Sequence, residues 1–377
     1  MFRRSKSSRS DPVQESVHKG PISKHLVSHA LSLNDQVRYI KRLLANREEQ
    51  QAAKSLEPGD GVRFIELLDW VLRAGRLDEK DRPTFVRYLA RVCGWHSVLP
   101  NSVRISSHHR ISEHGGGGHS TVWIGRYRDQ KVVIKGLNFY LSDGAVKKRE
   151  LTKAFCKEVV IWKNLSHPNI LPFIGATMVT EPNHEKYEMV SEFMENGDIG
   201  TFISQHKGVN RLELLKDVAA GLSYLHSQLV VHGDLKGLNV LINKHRRACL
   251  ADFGLTRVMG EFTSSGGGEP KGTIMWMSPE IMWPEQFNIK DGRPTKESDV
   301  YSLGILIYEV VCGHRPFPEL NELAAVNEFQ QGKYPPWPAV GLTDPLWKTL
   351  QSCWWREREM RPSANTVLKR LGEASRV

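Results

Sequence analysis

Residues 231–254 decide the fold of this chain, and they read Val231-His232-Gly233-Asp234-Leu235-Lys236-Gly237-Leu238-Asn239-Val240-Leu241-Ile242, a short connector, and Leu250-Ala251-Asp252-Phe253-Gly254. Apolar runs at residues 229–231 and 240–242 predict β-type segments on either side of a polar turn. A third apolar run, residues 248–251, precedes the second carboxylate. The stretch therefore presents two carboxylates, an amide and an ammonium at the ends of strands.

These polar side chains suit a nucleotide carried by a metal ion. Carboxylate and amide oxygens are hard ligands of the kind that Mg²⁺ prefers, which makes Asp252 and Asn239 candidate metal ligands. Asp234, with Lys236 close by in sequence, can orient an attacking hydroxyl. Each short motif alone is equally consistent with an ordinary turn, but the two together at this spacing are a strong indication.

The stretch resembles the catalytic and metal-binding loops of eukaryotic protein kinases, His-Arg-Asp-Leu-x-x-x-Asn followed by Asp-Phe-Gly. Gly233 stands where the family usually has Arg, and the rest of the pattern matches. Lys236 resembles the serine/threonine type rather than the tyrosine type. The resemblance implies that Asp234 accepts the proton of a substrate hydroxyl, that Lys236 neutralises charge near the γ-phosphate, and that Asn239 and Asp252 hold Mg²⁺.

Residues 115–118 are all glycine and lie between two strand-like stretches. A hairpin of this kind lets backbone N–H groups approach phosphate oxygens, because no Cβ intervenes. Against the kinase pattern G-x-G-x-x-G-x-V, the matches are Gly115, Gly117 and Val122, and Ser120 replaces the third glycine.

Glu158 shares one helical face with the apolar residues Phe155, Val159 and Trp162. An unpaired charge on such a face is unfavourable, and Lys135, at the end of an apolar strand, is the expected partner. The kinase resemblance implies the same pair, in which Lys135 holds the α- and β-phosphates and Glu158 positions it.

The resemblance also implies a nucleotide pocket. Residues 189–194 resemble the last strand of the small lobe and the hinge, and Ser191 falls at the position that gates the back of the pocket. Asp198 is a candidate for the ribose hydroxyls and equally a candidate helix cap. The predicted nucleotide-binding residues are Gly115, Gly117, Ser120, Val122, Val133, Lys135, Ser191, Glu192, Met194, Asp198 and Leu241.

Later motifs extend the resemblance to about residues 105–374. Residues 272–280 resemble the substrate-docking end of an activation segment. Asp299 resembles the buried Asp that holds the catalytic loop, and Arg361 the late Arg that pairs with Glu280. Because Gly233 has no side chain, we expect phosphorylation at residues 263–265 to change the catalytic rate little. We expect control of activity to come from the N-terminal helices or from a partner.

The first 104 residues are expected to form two regions. Residues 1–30 are basic, Ser-rich and poor in aromatics, which is typical of a disordered tail, and a solvated arm explains the +10 net charge better than binding to nucleic acid does. Residues 31–104 show apolar positions at helical spacing with a break at Pro58-Gly59. Asp60 is predicted to cap one helix and Gly94 to end another. This extension resembles the one that precedes the kinase domain in tyrosine-kinase-like kinases of mushroom-forming fungi.

Composition is that of a globular protein, with 40% hydrophobic and 25% charged residues. No apolar run is long enough to predict a membrane span, and no apolar segment follows the basic start as a secretory signal would require. The five cysteines are scattered and form no metal-binding spacing, which indicates a reducing compartment. We therefore predict a cytoplasmic location, with nuclear access possible through the basic tail.

The predicted fold is α+β and two-lobed, with a small β-rich lobe and a large helical lobe after a helical extension; residues 105–374 form the kinase domain. The predicted function is transfer of the γ-phosphoryl of Mg-ATP to Ser/Thr hydroxyls of proteins. Small-molecule kinases of related fold are an alternative favoured by His-Gly-Asp, although Lys236 and residues 272–280 oppose it. A pseudokinase acting as a binding module is the other alternative.

Overall fold

Two lobes of different secondary structure follow one another along the chain. This computed structural model describes residues 22, 32–106, 108–117, 120–137, 144–181, 184–253, 274–337 and 343–374. A five-stranded sheet forms the small lobe and helices dominate the large one, so the predicted two-lobed α+β fold is confirmed. Of the predicted tail, only Ile22 is described, and its side chain is buried. No helix in the described part combines the length and apolar character needed to cross a membrane.

Within residues 32–106, four α-helices precede the sheet, namely α1 (Leu33–Ala45), α2 (Arg47–Ala52), α3 (Pro58–Arg73) and α4 (Arg82–His96). Helix α3 begins at Pro58, where the missing N–H is not needed. Asp60, predicted as a cap, instead lies in the first turn and pairs with Arg63. Helix α4 does not end at Gly94 as predicted but continues to His96, and Ser97, at φ 55°, ends it.

The small lobe is an antiparallel sheet with the strand order β1-β2-β3-β5-β4. Its strands are β1 (His109–Gly117), β2 (Ser120–Tyr127), β3 (Gln130–Leu137), β4 (Phe173–Glu181) and β5 (His184–Glu192). Helix α5 (Ala145–Lys163) lies between β3 and β4 in the chain and packs against β4. The strands alternate a face toward α5 with a face away from it, which sets the side chains that can reach the cleft.

The large lobe is built around one buried helix. Its helices are α6 (Ile199–Gln205), α7 (Arg211–Ser227), α8 (Pro279–Met282), α9 (Lys296–Cys312), α10 (Glu322–Gln330), α11 (Asp344–Cys353) and α12 (Ala364–Ala374). The short hairpin of β6 (Val240–Ile242) and β7 (Ala248–Leu250) lies between α7 and α8 in the chain. Every residue of α9 from 298 to 308 is buried, as expected of a helix that is apolar on all sides.

Residues 229–231, predicted as a β-type run, form no strand. Leu229 has φ 58°, and the Val230 N–H donates to the Leu225 carbonyl at 2.9 Å. A left-handed residue directly after a helix satisfies the last carbonyls of that helix. The run therefore serves to end α7, and within it Val230 is buried while Leu229 is exposed.

Arg361 forms a buried ion pair with Glu280 at the start of α8. The two guanidinium nitrogens donate to the two carboxylate oxygens at 2.6 and 2.8 Å. Arg361 also donates to the carbonyls of Trp355 and Glu297. Both charged side chains are almost fully buried, so the pair locks the end of the chain to residues 278–282.

We expect Arg361→Met to lower the free energy of unfolding by about 3–5 kcal/mol, because it leaves the Glu280 carboxylate buried without its cation. The double variant Arg361→Met/Glu280→Leu should recover most of this loss in the same urea titration. The matched control is Arg358→Met, which removes an exposed pair with Glu359 and should change stability little. A single variant as stable as wild type would contradict this account of the pair.

Candidate active site

The backbone of the 232–234 turn is held by one carboxylate of α9. Asp299 Oδ2 accepts from the His232 N–H and from His226 Nε2, both at 2.8 Å, and Oδ1 accepts from the Gly233 N–H at 2.8 Å. Hydrogen bonds to a buried ionised group are strong, and Asp299 is 1% exposed. Gly233 has φ 79°, a conformation that glycine adopts without strain. The turn is therefore fixed to the core of the large lobe.

Asp234 is oriented by the two polar residues that follow it. Its Oδ2 accepts from Lys236 Nζ at 2.7 Å and from Asn239 Nδ2 at 2.9 Å, and its carbonyl accepts from Asn239 Nδ2 at 2.7 Å. Its Oδ1 is buried, and within the described part of the chain no group donates to it. One oxygen thus fixes the carboxylate while the other keeps its capacity to accept a proton.

Asp252 lies beside Asn239 because β6 and β7 pair. The ladder joins Val240 to Leu250, and the Ala251 N–H donates to the Asn239 carbonyl at 2.9 Å. Asp252 has φ 56°, which is strained for a residue with a side chain.

The aromatic ring of Phe253 anchors this strained turn. Phe253 is 3% exposed and lies edge-on to Trp162 of α5, with ring centroids 5.7 Å apart. It also makes an edge contact with His232 at 6.2 Å. Because Phe253 is held inward, the preceding Asp252 side chain is directed outward, where it is half exposed. Neither aromatic contact was predicted, since helical periodicity indicates burial but not the partner.

Lys135 pairs with Asp252 and not with Glu158, which corrects the predicted ion pair. Its Nζ lies 2.5 Å from Asp252 Oδ1. Burial would raise the pKa of Asp252, but the adjacent Lys135 ammonium overcomes this effect and lowers it. The cation therefore lies against a carboxylate that is ionised.

Glu158 is buried, and its Oε2 has no hydrogen-bond partner among the described residues. Burial raises the pKa of Glu158 to about 8, against the opposing effect of Lys135. Near neutral pH the carboxyl holds its proton, and a neutral carboxyl attracts an ammonium weakly.

The glycine-rich segment forms the predicted hairpin. Gly115 pairs with Val122 and Gly117 with Ser120 across β1 and β2, and Val122 pairs in turn with Lys135 on β3. A Cβ at Gly115 would meet nothing within 4 Å, so the backbone there is open to approach. The sheet thus carries the glycine hairpin and the lysine on neighbouring positions of adjacent strands.

The other predicted nucleotide-binding residues lie on β3, β5 and the connection to the large lobe. Val133 pairs with Ser191, and the residue after Ser191 is Glu192 at the end of β5. Ser191 and Met194 are buried, at 4% and 6% exposed. Leu241 lies on β6. Val133 and Ser191 therefore lie on paired central strands of the small-lobe sheet and Leu241 on the separate β6–β7 hairpin, and their contact with one nucleotide stays a prediction.

Asp198 caps α6. Its Oδ1 accepts from the Thr201 N–H at 3.0 Å and its Oδ2 from the Thr201 hydroxyl at 2.6 Å. The segment also bridges to β6, since Asp198 pairs with Leu241. Of the two interpretations of Asp198, the structure shows the helix cap, and contact with a ribose stays a prediction.

The chain matches a known family over most of its length. The family model described as protein tyrosine and serine/threonine kinase matches residues 109–371. The serine/threonine-protein kinase STY17 of Arabidopsis thaliana is 34% identical over 266 residues, which cover 69% of this chain and 43% of that protein. STY46 of the same plant is 32% identical over 274 residues, 71% of this chain and 44% of that protein.

The dual specificity protein kinase shkE of Dictyostelium discoideum is 32% identical over 272 residues, 69% of this chain and 35% of that protein. The chain thus spans less than half the length of these relatives. None of the three is fungal, and the resemblance to kinases of mushroom-forming fungi stays a prediction. The motifs in order, the two-lobed fold and the family match lead to one conclusion: the chain belongs to the protein tyrosine and serine/threonine kinase family.

Proposed function

We propose that this chain is a protein kinase that transfers the γ-phosphoryl of Mg-ATP to Ser/Thr hydroxyls of protein substrates. The observation that carries the proposal is Asp234, whose Oδ2 is held by Lys236 and Asn239 while its buried Oδ1 has no described donor. A carboxylate fixed in this way can orient a hydroxyl and take its proton without reorganising. The names of the plant relatives support the Ser/Thr preference, and the name of shkE supports testing tyrosine as well.

The donor set fits Mg²⁺ that arrives with a nucleotide. Within the described residues no group of three or more His, Cys, Asp or Glu could hold a metal ion. Mg²⁺ usually takes only one or two carboxylates from the protein and completes its shell with phosphate oxygens and water. Asp252, half exposed, and Asn239, whose amide nitrogen is already directed to Asp234, would hold it. When bound, Mg²⁺ neutralises phosphate charge that the side chains alone would leave uncompensated.

Lys135 has a defined role in this scheme. In the structure it neutralises Asp252 at 2.5 Å. If Asp252 held the metal ion, the Lys135 ammonium would be available to the phosphates, and Glu158 on α5 is the carboxyl that would position it. The Lys135 ammonium would in turn favour the ionised form of Glu158. Phosphoryl transfer asks for positioning and charge neutralisation more than for covalent chemistry.

The described part of the segment before α8 supports a protein substrate. Residues 272 and 273 lie outside the described residues, but the Trp276 carbonyl accepts from the Ser302 hydroxyl of α9 at 2.6 Å. With the Arg361–Glu280 pair, this contact ties residues 274–282 to the large lobe. A small-molecule kinase does not need such a surface for docking a peptide. Phosphoryl-transfer assays with generic proteins, tyrosine-only peptides and small alcohols separate the alternatives. Absence of transfer to all of them would favour the pseudokinase interpretation.

The division of the chain and its location belong to the same proposal. We divide it into a basic tail at 1–30, a helical extension at 31–104 and a kinase domain at 105–374, with the N-terminal helices as a contact surface within the chain or for a partner. The location is cytoplasmic, with nuclear access through the tail, and the five unpaired cysteines support it.

We expect Asp234→Asn to keep nucleotide binding but to lower phosphoryl transfer by about 10²–10⁴-fold, the usual scale for a proton-handling group. Asp252→Asn should lose Mg-dependent nucleotide binding as well. Titration calorimetry with ATP, with and without Mg²⁺, measures binding, and transfer of labelled phosphate measures catalysis. Full activity of Asp234→Asn would show that the catalytic loop has been assigned wrongly.

The buried Glu158 carboxyl predicts a pH dependence of stability in the nucleotide-free protein. Its pKa is about 8 when folded and about 4.5, the ordinary value of the side chain, when unfolded, so the folded form keeps a proton that the unfolded chain releases between these values. The free energy of unfolding should therefore fall as pH rises through this window, by at most about 1.4 kcal/mol per pH unit. Wild type minus Glu158→Gln isolates the contribution. Glu150→Gln, exposed on the same helix, is the matched control.

Ser191 predicts the shape of the pocket. It is buried on β5 between Val133 and Phe173, and its small side chain leaves room behind the adenine. Bulky ATP-competitive inhibitors should bind wild type and lose at least about tenfold in affinity against Ser191→Met, since overpacking costs about 1–3 kcal/mol. The KM for ATP should change little. Inhibitors that affect both forms equally would place Ser191 outside the pocket.

A further inference from the structure

Helix α5 is buried on two opposite sides. One side carries Phe155, Glu158 and Trp162, all buried, and faces the sheet and the active site. Phe155 stacks on Tyr187 of β5 at 5.4 Å, and Trp162 contacts Phe253 at 5.7 Å. This is the side that the catalytic chemistry uses.

The second side carries Lys153, Cys156, Val160 and Asn164, spaced at 3, 4 and 4 residues. Cys156 and Val160 are both two residues from Glu158, which places them about 200° around the helix axis. Both are 0% exposed. A surface helix normally has one apolar stripe, so a second stripe needs a second partner.

Helix α4 of the extension is that partner, and it contacts α5 at both ends. At one end, a Cβ on Gly94 would lie 3.1 Å from the Lys153 carbonyl oxygen and 3.1 Å from Lys153 Cγ. At the other end, Arg82 donates to Asn164 Oδ1 at 3.2 Å and to the Leu72 carbonyl at 3.1 Å. The two helices therefore run antiparallel, at a separation that would be tight for a Cβ at position 94.

Helix α4 cannot drift freely, because the extension is itself tied to the sheet. Ser102, after α4, donates to Asp69 of α3 at 2.9 Å, and the Asn101 N–H donates to Glu66 at 2.8 Å. The Ile105 N–H then donates to the Ala176 carbonyl of β4 at 3.1 Å. Helix α5 thus lies between the catalytic cleft on one side and a braced helix on the other.

We propose that α4 is the positioning element of Glu158, and that Gly94 and Arg82 are its positioning residues. Their contacts set the place of α5 from the side opposite the cleft. The inference rests on the proposed kinase function, and it makes phosphoryl transfer dependent on a helix that contributes no atom to the active site.

The central variant is Gly94→Leu in the full chain. Its Cβ alone would be tight against a backbone oxygen, so α5 or α4 must move. We expect kcat/KM to fall at least tenfold. Gly59→Leu in α3, where a Cβ would meet nothing within 4 Å, is the matched control and should stay near wild type. Arg82→Ala is the milder second variant in case Gly94→Leu does not fold.

Two further measurements separate positioning from general damage. In a Glu158→Gln background, Gly94→Leu should cause little additional loss, because both changes act through one group. Independently of activity, alkylation of the Cys156 thiol should become faster when α4 is displaced. Cys353, also 0% exposed but in the large lobe, serves as the internal control in the same peptide analysis.

Normal activity of a variant in which Cys156 reacts quickly would overturn the proposal, as would a full additional loss in the Glu158→Gln background. Either result would show that α4 only covers α5 and does not position Glu158. If wild type itself transferred no phosphoryl group to any substrate, the proposed function would fail. Cys156 alkylation would still report whether Gly94 and Arg82 hold α5, so the two failures are distinguishable.

Discussion

The geometry of the active site depends on the buried carboxylate of Asp299. Its two oxygens take three donors from residues 226–233, so the turn before Asp234 has only one arrangement in which this charge is satisfied. Removing a partner from a buried charge is strongly unfavourable, which makes the constraint rigid. Asp234, Asn239 and the β6–β7 hairpin follow within a few residues, and Asp252 follows the hairpin. The positions of Asp234 and Asp252 therefore both depend on Asp299 of α9.

Two acidic groups of the site are kept in different electrostatic states by their surroundings. Asp252 is held ionised by Lys135, and burial raises the pKa of Glu158 to about 8. Groups whose surroundings separate their titration in this way can take different roles at one pH. The Lys135 ammonium interacts with both Asp252 and Glu158, so the carboxyl with which it pairs indicates the charge states of these two groups.

Local patterns predicted much of the fold and of the site because their causes are local. The glycine hairpin, the strand that carries Lys135, the Asp299 anchor and the Arg361–Glu280 pair all follow from short motifs. The partner of Lys135 was predicted wrongly, because the fold brings a second carboxyl, Asp252, against it from 117 residues further along the chain, which local periodicity does not indicate. Gly94 was predicted to end a helix, but the helix continues to His96 and Gly94 lies close to Lys153 of α5. The run at 229–231 was predicted as a strand because a short apolar run does not distinguish a strand from the end of a helix.

The contacts of α5 also imply an order of assembly during synthesis. Arg82 and its partner Asn164 are 82 residues apart in the sequence, whereas Lys135 and its partner Asp252 are 117 residues apart. At about 5–20 residues per second, a ribosome exposes the uncovered side of α4 for roughly 4–16 s before α5 follows it. The extension and the small lobe can then close on each other before the large lobe exists, since local contacts form first. Phe253 then reaches Trp162 on a helix whose far side is already occupied, and the turn before Asp234 is fixed later still, once Asp299 has been synthesised.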